Sequence, residues 1–194
     1  MYESTIVCIS ENGSSPYSLM ESTLDAITIG TEIQYKMVSP SDFGIKINRV
    51  PVEEFCNSYK SVLLEAVKSV NTRVVVSVHD DAAFDISAIK SLIGRIGGNV
   101  AAAYPSHQRA GRTFYYAKEY PVIRASSANT GVIECVCADD GVVAYDREKL
   151  IAAMDINYRK VGGLYLPINY FVGLNFITAG YRSILDLGIK IKHN

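Results

Sequence analysis

Arg73 to Val78 (RVVVSV) is an almost unbroken β-branched run, and it leads straight into His79-Asp80-Asp81. A strand buried on both faces of a parallel sheet reads this way. At a sheet edge, such an acidic pair can ligate a hard divalent cation. Mg²⁺ and Mn²⁺ prefer oxygen, and typically take one or two carboxylates completed by substrate phosphate oxygens. The cation then stabilises charge on a departing diphosphate. The plainer alternative is that Asp80 or Asp81 merely caps the next helix. His193 follows the last expected strand; alone it reads as a solvated imidazole, and it matters only if that strand brings it near Asp81. Asp139-Asp140-Gly141 reads first as a hairpin turn. His107, in a polar stretch, reads as a surface residue.

Other chemistries lack their motifs. There is no GxGxxG or GxxxxGK[ST] phosphate loop, and no GxSxG or HExxH. The four cysteines, Cys8, Cys56, Cys135 and Cys137, form no CxxC pair and read as reduced thiols of a cytoplasmic protein. With 19 Lys+Arg against 20 Asp+Glu, the basic excess usual in a nucleic-acid binder is missing. No apolar run approaches the roughly 20 residues of a membrane span. The start, MYESTIVCISENG, has no basic region typical of a signal peptide.

The elements that must position these residues alternate in type. Ser4 to Ser10 reads as a strand, Tyr17 to Ile29 as a helix on Leu19, Met20, Leu24 and Ile27, and Glu32 to Val38 as a second strand. After Pro51, Val52, Phe55, Tyr59, Val62, Leu63, Ala66, Val67 and Val70 mark one helix face. Asp85 can cap a helix that stops at Gly97-Gly98, and Asn99 to Tyr104 is a short strand. This alternation argues for an α/β domain with a largely parallel sheet. Residues 105–130 read as polar loops, and Val132 to Cys137 and Val142 to Tyr145 as the arms of a hairpin. A short helix at Arg147 to Met154, an apolar helix at Ile168 to Ala179 and a strand at Ile184 to Ile191 complete the chain. In an open α/β sheet, ligands bind outside the carboxyl ends of the strands. Attention therefore falls on Ser10-Glu11, Ser39 to Asp42, His79-Asp80-Asp81 and His193.

The ordered segments TIVCISENGSSPYSLMESTLDAI, EIQYKMVSPSD, RVVVSVHDDAAF, GVVAYDREKLIAAMDINY and NYFVGLNFITAGYRSILDLGIKIKH resemble the family-2-like glycosyltransferases with a GT-A fold. The likeness spans nearly all 194 residues, though each motif is degenerate. It implies a mixed, mostly parallel central sheet flanked by helices, in one domain. Residues 1–104 would form the nucleotide-binding half and 105–194 the acceptor side. It also implies a nucleotide-sugar donor, often a UDP-sugar, a glycan or other hydroxyl acceptor, and Mn²⁺ or Mg²⁺. Within it, His79-Asp80-Asp81 stands at a variant DxD motif, with Asp81 and His193 as metal ligands. Ser10, Glu11, Asp42 and Lys60 stand at donor contacts. Counted back from Gly180, the family's catalytic Asp falls on Asn169, which cannot accept a proton at neutral pH. The base is then Asp155 or Asp140, or the enzyme is retaining, or the domain is a catalytically silent nucleotide-sugar-binding module of a larger protein. A sugar nucleotidyltransferase is weaker, because its Gly-rich basic N-terminal loop is missing.

Overall fold

The computed structural model describes residues 3–10, 14–46, 51–119, 122–156, 160–161 and 163–193. Its centre is a seven-stranded mixed sheet. Three strands, β1 (Ser4–Ile9), β2 (Ile33–Val38) and β3 (Val74–His79), run parallel, with β1 in the middle. The sequence β1, α1 (Ser15–Thr28), β2, α2 (Val52–Lys68), β3, α3 (Ile86–Arg95) follows the expected alternation. A 3-10 turn, Pro40–Phe43, follows β2, and a short strand β4 (Ala82–Ala83) follows β3.

The second half adds two antiparallel strands to this frame. Strand β5 (Val100–Ser106) continues the parallel set, but β11 (Val142–Asp146) inserts antiparallel between β3 and β5. Strand β14 (Arg182–Lys190) lies parallel to β5, and β9 (Val132–Cys135) closes the sheet antiparallel to β14. The order is therefore β2-β1-β3-β11-β5-β14-β9.

Side chains of each strand alternate between two core layers. Val74, Val76 and Val78 of β3 join Met20 and Leu24 of α1 and Ile89 and Leu92 of α3. Val75 points to the other layer, with Val62, Leu63 and Val67 of α2, Leu150 of α4 (Arg147–Ala153) and Tyr170 and Phe176 of α5 (Ile168–Thr178). Burial on both faces explains the unbroken β-branched run. The helix faces are narrower than the periodicity suggests. Leu19 is 70% exposed, and Val52 and Phe55 at the start of α2 are also exposed.

Two expectations are overturned here. Residues 105–130 are not all loop: β6 (Gln108–Arg109), β7 (Arg112–Tyr116) and β8 (Ile123–Ser126) form a small antiparallel sheet. Nor is Val132 to Tyr145 a hairpin. The first arm breaks at Val136, whose N–H donates to the Tyr116 carbonyl at 2.8 Å. Before the break β9 pairs with β14; after it β10 (Cys137–Ala138) pairs with β7. Cys135 and Cys137 thus serve different sheets, and none of the four cysteines is in a disulfide. Two short ribbons remain, β12 (Lys160–Val161) with β13 (Leu164–Tyr165), and β15 (Lys192–His193) with β4.

Helix α5 presses directly on the Val136 corner. A Cβ built at Gly173 falls 2.1 Å from the Val136 carbonyl oxygen and 2.9 Å from its carbon. Backbone cannot yield as a flexible side chain does. Gly173→Ala should therefore cost about 3 kcal/mol of unfolding free energy. Urea denaturation checks this, and a wild-type midpoint would show that α5 does not pack here.

Candidate active site

Because β1, β2, β3, β5 and β14 share one direction, their carboxyl ends meet along one edge. Strand β11 runs the other way, so its amino end lies on that same edge, with Val142 opposite Val78. The edge collects Ser10, Ser39, His79-Asp80-Asp81, Ser106-His107 and Asp139-Asp140-Gly141. This is where an open α/β sheet binds ligands.

Hydrogen bonds fix the carboxyl end of β3. Ser10 Oγ donates to Asp80 Oδ2 at 2.6 Å, and Ser10 N–H donates to the Val38 carbonyl at 2.9 Å. One residue thereby links the tips of three strands. The His79 N–H donates to the Gly141 carbonyl at 2.9 Å, and its ring meets the Tyr59 ring edge-on at 5.8 Å. Asp42 lies exposed in the 3-10 turn and accepts the Ser39 N–H at 2.8 Å. Its charge also helps raise the Tyr17 hydroxyl, after the larger effect of desolvation, so α1 begins beside it.

The capping alternative for Asp80 and Asp81 fails. Asp85 caps α3, accepting the Ala88 N–H at 2.8 Å; its bond from Ser87 Oγ, then that backbone bond, hold its carboxyl below the ordinary range. Asp80 is half-buried and Asp81 exposed. In the β4–β15 ribbon, His193 stands opposite Ala82, the residue after Asp81. The backbone therefore brings these two expected ligands together. Among the described residues no group of three or more His, Cys, Asp or Glu surrounds a cation position. Mg²⁺ and Mn²⁺ need few protein ligands where phosphate and water complete their coordination.

The remaining expected residues divide. Glu11 lies outside the described residues. The Lys60 ammonium donates to the Ile156 carbonyl and ties α2 to the segment after α4. Asp155, in that segment, is exposed. Asp140 lines a cavity of about 390 Å³, and Asp155 does not. The cavity's other lining includes His107, Arg109, Phe114, Tyr115, Asp139 and Asn169. Asn169 occupies the first turn of α5, 4% exposed, and its Nδ2 donates to the Ala138 carbonyl at 3.0 Å.

His107 and Asp139 were not expected here. Their side chains are only 11% and 19% exposed, with His107 Nδ1 and Asp139 Oδ2 3.1 Å apart. They lie 32 positions apart in the chain, so no local spacing betrays the pair.

No family model and no curated protein matches this sequence. Solved structures do match its fold. GalNAc-T7 with UDP, GalNAc and Mn²⁺ superposes at TM-score 0.59 with 10% identity over 100% of this chain, which spans only 44% of that protein. A glycosyltransferase involved in glycosylating the major capsid of the virus PBCV-1 gives TM-score 0.58 and 10% identity, covering 98% of this chain and 91% of its own. CMP-2-keto-3-deoxy-manno-octonic acid synthetase with CTP gives 0.55 and 12%, covering 94% and 88%. Among the described residues the fold is therefore of the GT-A type: a mixed, mostly parallel seven-stranded sheet flanked by five helices.

Burial also sets the thiol chemistry. Desolvation, helped by the charge of Asp80, pushes the Cys8 thiol up to about 12, and desolvation pushes Cys135 up to about 12. Cys137 is raised by the same cause. A thiol reacts as its thiolate, so these three stay protonated and inert at pH 8. Only half-buried Cys56 should react with Ellman's reagent under native conditions. A native titre of two or more thiols per chain, against four in denaturant, would contradict that burial.

Proposed function

We propose that the chain is a metal-dependent glycosyltransferase domain that moves a sugar from a nucleotide-sugar, most simply a UDP-sugar, to a glycan or other hydroxyl acceptor. The observation that carries this reading is the shared edge. The Ser10–Asp80 bond and the His79–Gly141 bond join a carboxylate-rich strand end to the loop that lines the cavity. The fold's likeness to GalNAc-T7, solved with UDP and Mn²⁺, supports the same donor class.

In this reading residues 1–104 form the donor side. Ser10, Glu11, Asp42, His79 and Asp80 contact base, ribose or diphosphate, with Lys60 added from α2. Asp81 and His193 would hold Mn²⁺ or Mg²⁺, which offsets charge on the diphosphate leaving group. Residues 105–194 form the acceptor side. Phe114, Tyr115 and Tyr116 line the cavity, and aromatic rings there would suit the C–H face of a sugar. Asp140 lines this cavity, and exposed Asp155 is the poorer candidate for the acceptor proton.

A second reading has one specific observation behind it. Asn169 stands in the first turn of α5, where the family resemblance places the catalytic carboxylate. A catalytically silent nucleotide-sugar-binding module would look the same there. The synthetase neighbour makes nucleotide transfer a third class, disfavoured by the lack of a Gly-rich basic first loop in the sequence.

Thermal unfolding with UDP, with and without Mn²⁺, tests the donor site. UDP should raise the midpoint only with metal, by about 2.7 kcal/mol of stabilisation at a hundredfold excess over Kd. Asp81→Ala should abolish that metal-dependent gain. Retention of the gain in Asp81→Ala would refute the metal assignment. Sugar transfer to any acceptor excludes the silent module, whereas pyrophosphate release from CTP or UTP would favour the synthetase class.

A further inference from the structure

The cavity holds a proton acceptor that Asn169 cannot supply. His107 follows directly on β5, at the carboxyl end of a central strand, with Ser106 Oγ bonded to Thr113 Oγ1 at 2.6 Å behind it. The strand then turns back through Ala110 and Gly111, both left-handed at φ 49° and 74°. Two such residues between paired Arg109 and Arg112 make a tight hairpin, which bends this segment over the cavity.

Asp139 is held from several directions. Its Oδ1 accepts the Gly141 N–H at 3.1 Å, and its Oδ2 lies 3.1 Å from His107 Nδ1 and 3.5 Å from Arg109 Nη2. An ionised carboxylate has no proton to give, so Nδ1 donates. A neutral ring bonded in this way would carry its lone pair on Nε2. Asp140 differs, because its charge acts on buried Tyr59, beside His79, and on Tyr145. Among the groups lining the cavity, only His107 combines a basic nitrogen with a partner that fixes its tautomer.

We propose that His107 is the general base of the transfer and that Asp139 is its positioning residue; this rests on the glycosyltransferase reading. The acceptor oxygen forms a bond to the anomeric carbon of the donor. The bond from that carbon to the diphosphate breaks, and its electron pair leaves with the diphosphate oxygen. The hydroxyl proton passes to His107 Nε2 and from there to solvent. One displacement of this kind inverts the anomeric configuration.

The test uses the whole chain with Mn²⁺, and measures UDP release from UDP-glucose, UDP-galactose and UDP-N-acetylglucosamine, with water or simple sugars as acceptor. His107→Ala should keep the stabilisation by UDP and Mn²⁺ yet lose about 10²- to 10⁴-fold in kcat. Free imidazole should restore part of it, a rescue that a merely structural histidine would not show. Asp139→Asn should lower kcat with little change in KM, and should shift the ¹⁵N tautomer signal of His107. That signal is assignable, since the chain has three histidines. If His107→Ala does not fold, His107→Gln replaces it, with the same expected loss.

Turnover within roughly threefold of wild type in either His107 variant overturns the proposal. So does a loss confined to Asp140→Asn, or a wild type that binds UDP with metal but releases none from any donor. Absence of UDP and Mn²⁺ stabilisation in wild type is a different failure, because it removes the glycosyltransferase reading itself.

Discussion

The site depends on one backbone hydrogen bond, from the His79 N–H to the Gly141 carbonyl at 2.9 Å. It exists because β11 enters the parallel sheet backwards. A parallel strand there would begin at the far edge, and the residues before it would face away from the carboxyl end of β3. Reversed, β11 starts where β3 stops. The acidic loop before it and the acidic tip of β3 are then neighbours through the sheet's own ladder. Ladder hydrogen bonds are cooperative and short-ranged, so the distance between the two halves of the site is set by the most rigid part of the molecule.

The reversal also explains which expectations held. The first half was legible because each strand and helix there buries residues with its own period, and turn residues mark the boundaries. The β-branched run ending in His79-Asp80-Asp81 could only be a central strand, and it is. The second half misled because pairing partners are not encoded locally. Val132 to Cys137 and Val142 to Tyr145, with Asp-Gly between them, have the composition of a hairpin. Each instead pairs with strands distant in sequence, and Val136 turns the chain from one sheet to another. Local turn chemistry was right that the chain bends at Asp139-Asp140-Gly141 and wrong about what the bend joins.

His107 shows the same limit more sharply. The rule that ligands gather at carboxyl ends of strands was available from the sequence. The sequence alone reads this strand as ending at Tyr104, whereas β5 runs on to Ser106. Pro105 therefore lies inside a central strand, where proline is rare. The structure tolerates it where β14 runs alongside and its register slips between Asp186 and Lys190. Two more residues of strand would have put His107 on the edge. The Asp139 contact could not have been found in this way, because it needs the reversed strand to be known first.

Asn169 then acquires a physical reason. The first turn of α5 faces the Ala138 carbonyl, immediately before two consecutive carboxylates. An ionised Asp at this position would point a third negative charge at a carbonyl oxygen, with no proton to share and little solvent to screen it. An amide donates there instead, and its Nδ2 holds the loop that carries Asp139 and Asp140. Its Oδ1 is buried without a hydrogen-bond partner among the described residues. Such an atom costs stability unless something supplies a donor, and in a cavity of this kind an acceptor hydroxyl or an ordered water can do so. Asn169 therefore anchors the neighbouring loop, on which the His107–Asp139 pair depends.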